Sequence, residues 1–249
     1  MEEDGLWLRG YHPAPEGAPR LLCFPHGGGS ASSYFPFSAA LSSSLDVVAV
    51  QYPGRQDRLR EPVIEDLITL AELIAGHARD LAEDRPLALF GHSMGAVVAF
   101  EVARRLGVAP LAFFVSGRRA PSTERTELVH RMGDEGFLAE VRRLGATDPR
   151  VLDNPRLLGA VLPMLRGDYN AIGDYRYRPG PPLTCPVIAL TGDADPLTTV
   201  EEVRRWRDHT TGEFALHVLP GEHFFVHEHR AEVVAIIRDR LVPHPQDGS

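Results

Sequence analysis

The chain has 249 residues, 34 acidic against 26 basic side chains, a formal charge of −8 and 43% hydrophobic content. That length suits a single domain over 1–249, with a core large enough to need no disulfide or metal staple. With 24% charged residues and an acidic balance, it is neither a basic nucleic-acid binder nor a disordered acidic tail. No apolar run reaches the roughly 18–20 residues of a membrane span, and MEEDGLWLRG lacks the features of a signal peptide, so a cytoplasmic protein is expected. Every basic residue is Arg, which removes lysine as Schiff-base former, general base or phosphate-loop cation. Cys23 and Cys185 lack the paired spacing of a zinc site and read as buried thiols.

In chain order, short apolar runs predict strands at Leu6–Gly10, Arg20–Phe24, Val47–Gln51, Leu87–Phe90, Leu111–Val115, Val187–Leu190 and Phe214–Val218. They are apolar on both faces, as in a parallel sheet covered by helices on each side. Amphipathic stretches fall between them. Asp66–Glu83 carries Leu67, Leu70, Leu73, Ile74 and Leu81 on one helical stripe, and Met94–Leu106 is almost wholly apolar. The alternation predicts an α/β fold with a mostly parallel central sheet. From about Arg119 to Pro182 the helical patterns run on without a strand, with one long helix over Asn154–Tyr175. This insertion between two strands reads as a lid over one end of the sheet.

The strongest chemical signal is Gly91-His92-Ser93-Met94-Gly95, set between a predicted strand and a predicted helix. This G-x-S-x-G turn is tight enough to demand glycine at 91 and 95, and it presents Ser93 as a nucleophile on its tip. A serine hydroxyl needs a base, and the base needs an orienting acid. Asp195 lies in Gly192-Asp193-Ala194-Asp195-Pro196, beyond the end of a strand, and fits the acid; Asp193 reads as a binder of loop amides. His223 in Gly221-Glu222-His223-Phe224-Phe225 follows the last strand and fits the base, while His227 and His229 read as surface residues. The order Ser, Asp, His is that of α/β-hydrolases.

Acyl transfer also needs donors for the developing oxyanion, worth about 3–4 kcal/mol each. The Met94 N–H, next to the nucleophile, is one candidate. The second belongs to Pro25-His26-Gly27-Gly28-Gly29 after an early strand, with Gly27 preferred and Gly28 the alternative. His26 and His92 border these elements and read as packing residues. No histidine pair has metal-binding helix spacing, so no metal is expected.

Several segments together resemble the type II thioesterases, the free-standing editing enzymes of polyketide and nonribosomal peptide assembly lines. They are Leu22-Cys-Phe-Pro-His-Gly-Gly-Gly-Ser-Ala, Gln51-Tyr-Pro-Gly-Arg-Gln-Asp-Arg58, Gly91-His-Ser-Met-Gly95, Ser116-Gly-Arg-Arg-Ala-Pro121, Gly192-Asp-Ala-Asp-Pro196 and Gly221-Glu-His-Phe-Phe225. The resemblance runs from about residue 21 to residue 225 and implies the α/β-hydrolase fold with a helical lid over about 119–182. It implies Ser93 as nucleophile, Asp195 as orienter and His223 as base, in hydrolysis of acyl groups from the phosphopantetheine thiol of an acyl or peptidyl carrier protein. The substrate brings the phosphopantetheine, so no cofactor is expected, nor any oligomer beyond a monomer. Carrier proteins of this kind are acidic, so docking on an acidic enzyme calls for a local basic face. Arg55, Arg58, Arg60, Arg118, Arg119 and the arginines of the insertion are the candidates, with Arg58, Arg60 and Arg125 put forward for charge reversal. A general carboxylesterase or a product-releasing thioesterase would share the same triad.

Overall fold

The computed structural model describes residues 4–125 and 128–242. Seven strands form one sheet: β1 Leu8–Gly10, β2 Arg20–Phe24, β3 Asp46–Val50, β4 Leu87–His92, β5 Phe113–Ser116, β6 Val187–Gly192 and β7 Phe214–Leu219. Their spatial order is β1-β3-β2-β4-β5-β6-β7, with β1 antiparallel to β3 and every other neighbour pair parallel. Early strands thus lie to one side of β4 and later strands to the other. Strand carboxyl ends of such a sheet are where ligands bind.

The helices are α1 Asp4–Trp7, α2 Phe35–Leu41, α3 Leu67–Asp84, α4 Met94–Ala103, α5 Asp134–Leu144, α6 Pro149–Leu152, α7 Pro155–Asp174, α8 Val200–Arg204, α9 Phe225–Glu228 and α10 Arg230–Leu241. One face of the sheet packs on α3 and α4 through Val50, Leu89, Ile74, Val98 and Phe100; the other packs on α2 and α10 through Phe90, Phe114, Phe37 and Ile237. All six residues of β4 and all ten of α4 are buried, which explains sequences apolar but for His92 and for Glu101, which pairs with Arg104 and Arg105. On α3 the stripe holds for Leu67, Leu70 and Ile74, but Leu73 is exposed. Both thiols are buried and free, and burial pushes Cys185 up to about 11 and Cys23 higher still.

Between β5 and β6 the described residues form helices and turns and no strand. Helix α7 starts at an N-cap, Asn154, whose side chain accepts from the Arg156 and Leu157 N–H groups, and it runs through Pro163 without a break. With α5 and α6 it encloses a small core of its own, Phe137, Val141, Leu152, Met164 and Leu165.

Candidate active site

Ser93 sits between β4 and α4 at φ 55° and ψ −119°, a strained conformation for a side-chain-bearing residue. The flanking glycines make that turn possible. A Cβ on Gly91 would lie 2.3 Å from the Gly95 carbonyl oxygen, and one on Gly95 would lie 2.1 Å from that of Phe24. The Ser93 N–H donates to Ser116 O at 2.8 Å, tying the turn to the end of β5.

Two loops at neighbouring strand ends meet Ser93. His223 Nε2 lies 2.9 Å from Ser93 Oγ, and His223 Nδ1 lies 2.8 Å from Asp195 Oδ2. The Asp195 side chain is fully buried; its other carboxylate oxygen accepts from the Leu197 N–H at 2.8 Å. Asp193 instead accepts from the Gly221 N–H at 2.9 Å and joins the two loops. Gly192 lets them approach, since a Cβ there would meet Gly221 O at 2.3 Å.

Around His223 stand aromatic rings. His92 packs on His223 with centroids 5.1 Å apart, and Phe224 packs on both His26 and His92. His92 Nδ1 is 3.0 Å from Ser116 Oγ, so Ser116 is engaged with His92. Burial pushes His26 down to about 3 and His92 well below the usual histidine range, so both stay neutral at neutral pH. His227 stacks on Phe224 from an exposed position; His229 lies within hydrogen-bond distance of Glu232.

The glycine loop is held from below by two phenols. Tyr34 donates to Phe24 O at 2.8 Å and Tyr52 to Pro25 O at 3.1 Å. From above, Asp168 of α7 accepts the Gly28 N–H at 2.7 Å. Gly28 is therefore already spent on a carboxylate, which removes it as the alternative oxyanion donor. Gly27 and Met94 line the cavity over Ser93, and Gly28 does not. That cavity, about 80 Å³, is walled by Tyr169 and Ile172 of α7, Leu144 of α5, Val129 and Leu197. Glycine is needed at 28, where φ is +80° and a Cβ would come within 2.6 Å of Leu165.

A wider cleft of about 700 Å³ adjoins the cavity and shares Arg118, Ile172 and Gly173 with it. Arg119, Arg125, Arg131 and Arg176 also line it. Arg125 is about half exposed, donates to Leu197 O and lies 3.6 Å from Glu202. Arg60 is exposed in the loop after β3 and does not line the cleft. Arg55 and Arg58 depart from the expectation of docking cations. Arg55 is buried against Asp168, and Arg58 is buried over the Trp7 ring, forked onto Glu61 and bonded to Gln51 O, so both serve the fold and cannot meet a partner. Sequence reasoning missed Asp168 altogether, because nothing in α7 singles out one aspartate; its partner Arg55 lies 113 residues away.

A thioesterase-domain family model matches residues 19–241. Thioesterase PikA5 of Streptomyces venezuelae is 49% identical over 244 residues, covering 96% of this chain and 87% of that protein. Among solved structures, the type II thioesterase BorB from the borrelidin biosynthetic cluster superposes with a TM-score of 0.87. It is 48% identical, with 95% of this chain and 98% of that one covered. The RedJ thioesterase from the prodiginine pathway of Streptomyces coelicolor gives 0.85 at 38% identity, covering 94% of this chain and 90% of its own.

Proposed function

This chain belongs to the thioesterase family, as a type II thioesterase of polyketide and nonribosomal peptide clusters, and we propose that it frees mis-primed or stalled acyl groups from the phosphopantetheine thiol of a carrier protein. The observation that carries the mechanism is the hydrogen-bonded line from Ser93 through His223 to Asp195, beneath an apolar cavity.

With Nδ1–H donating to Asp195, His223 presents Nε2 as an acceptor to the Ser93 hydroxyl. His223 takes the Ser93 proton as Ser93 Oγ attacks the thioester carbonyl carbon. The carbonyl electron pair moves onto oxygen, which the Gly27 and Met94 N–H groups receive. Collapse of this intermediate expels the pantetheine sulfur, which takes the proton from His223. Water then attacks the acyl-serine with His223 again as base; the bond to Ser93 Oγ breaks, His223 returns the proton to that oxygen, and the carboxylic acid leaves. A thiol leaves more readily than an alkoxide or an amine. The neutral rings beside His223 place no competing positive charge there at neutral pH.

Carrier docking is assigned to the arginine-lined cleft, with Arg125 on its wall, and the exposed Arg60 stays a candidate. The cleft borders the cavity, so an arm lying in it would deliver its thioester to Ser93 while the acidic carrier meets the rim. The insertion supplies the cavity roof, consistent with a lid.

The acyl-enzyme is the direct test. Rapid quenching after mixing with an acyl-N-acetylcysteamine thioester should add the acyl mass to the peptide holding Ser93. Ser93→Ala should lose both the adduct and turnover. Turnover by Ser93→Ala at the wild-type rate would refute the mechanism.

A further inference from the structure

Asp168 and Arg55 form a buried ion pair at the back of the glycine loop, and no step of the reaction above uses them. Both side chains are at least nine-tenths buried. Arg55 Nη2 donates to Asp168 Oδ1 at 2.7 Å, and Nη1 donates to Oδ2 at 2.9 Å and to Gly29 O at 2.8 Å. Its Nε donates to Pro53 O, and its guanidinium stands 5.0 Å from the Tyr52 ring centroid. Asp168 Oδ2 also accepts the Gly28 N–H. One carboxylate and one guanidinium thus grip the glycine loop at two consecutive residues, by the N–H of one and the carbonyl of the next.

A buried pair of this kind is a weak source of stability, because apolar residues of similar volume often do as well. An apolar pair, however, could not hold a peptide N–H. We propose that Asp168, held by Arg55, is a positioning residue for the oxyanion hole: it turns the Gly28 N–H away from the cavity and so fixes the Gly27 N–H facing it. Asp168 stands next to Tyr169 and one helical turn before Ile172, both of which wall the cavity. The segment of α7 that shapes the acyl site is therefore the segment that sets the oxyanion loop. Leu165, one turn earlier, bears on Gly28 from the same helix. The pair also keeps its own charge balanced. Losing Arg55 alone would leave a carboxylate close behind a site that must accept negative charge.

This inference rests on the reading of Ser93 as nucleophile and Gly27 as oxyanion donor, and the test separates the two. The probe is an alkyl trifluoromethyl ketone: Ser93 Oγ adds to its carbonyl carbon, His223 takes the proton, and the former carbonyl oxygen becomes the oxyanion. Its affinity is compared with that of a non-hydrolysable thioether analogue, which forms no oxyanion. Kinetics use an acyl-N-acetylcysteamine thioester, with melting temperatures for Asp168→Asn, Arg55→Met and the double variant Arg55→Met/Asp168→Leu.

Arg55→Met should lower kcat about 10²–10³-fold, as for loss of one oxyanion donor. KM and thioether affinity should stay within about threefold, and ketone affinity should fall in step with kcat. Asp168→Asn keeps one acceptor oxygen for Gly28 and should lose less than the double variant. The double variant leaves no orphaned charge and should regain melting temperature over Arg55→Met, yet remain about as slow. Restored activity in the double variant, or ketone affinity unchanged in all three, would overturn the positioning role. Failure of the wild type itself to bind the ketone above the thioether would instead refute the oxyanion reading beneath it.

Discussion

Ser93, the proposed nucleophile, is also where the backbone is strained. A φ of 55° with ψ −119° costs a side-chain-bearing residue about 1–3 kcal/mol, and glycine is spared that cost. Ser93→Gly should therefore melt about 2–10 °C above Ser93→Ala by calorimetry, with both variants inactive. Equal melting temperatures would mean the turn is unstrained. The neutral histidines make a second prediction at this scale. His26 is depressed from 6.5 to about 3 by burial, so between those pH values the unfolded chain binds a proton that the folded chain refuses. Stability should be intact above about pH 6.5 and fall as pH drops below it, by up to about 1.4 kcal/mol per pH unit for this residue. His26→Gln should flatten that slope in urea titrations between pH 4 and 6.5; an unchanged slope would show that His26 does not carry it.

Among the elements, those fixed by local rules were the legible ones. Strands β2, β4 and β7 follow from two-sided apolar runs, and α7 from its N-cap and periodicity. Ser93, Asp195 and His223 could be picked out because each follows the end of a strand, where order along the chain restricts the choice. Arg58 and Asp168 were illegible for one shared reason. Whether a charged side chain faces a partner or is buried depends on contacts that composition does not encode, and Arg58 finds Glu61 and Trp7 while Asp168 finds Arg55. Leu73 shows the same limit on a helix stripe, being exposed while Leu70 and Ile74 beside it are buried. Two variants probe the elements directly. Asn154→Ala, which removes the α7 cap, should cost about 1 kcal/mol without changing kcat per folded enzyme. Gly95→Ala forces a Cβ against the Phe24 carbonyl and should exceed 3 kcal/mol or prevent folding. A wild-type melting curve for Gly95→Ala would contradict the geometry of the nucleophile turn.

For the whole molecule the question is how a chain of charge −8 would receive the acidic carrier proposed for it. The cleft beside the cavity is the proposed local answer, since it gathers arginines from the loop after β5 and from the end of the insertion. Arg125→Glu should raise KM for an acyl-carrier substrate several-fold, leave a small thioester unaffected, and weaken the salt dependence of the carrier reaction. Arg58→Glu makes the contrast: it should lower stability and spare any carrier-specific term.

The most direct measurement compares rates for one acyl group on three leaving groups: holo carrier protein, coenzyme A and p-nitrophenol, with Ser93→Ala beside the wild type. The mechanism predicts the highest kcat/KM on the carrier, and no turnover of any of the three by Ser93→Ala. Faster cleavage of the oxygen ester, with no gain from the carrier, would contradict carrier-directed thioester hydrolysis and leave a general esterase site.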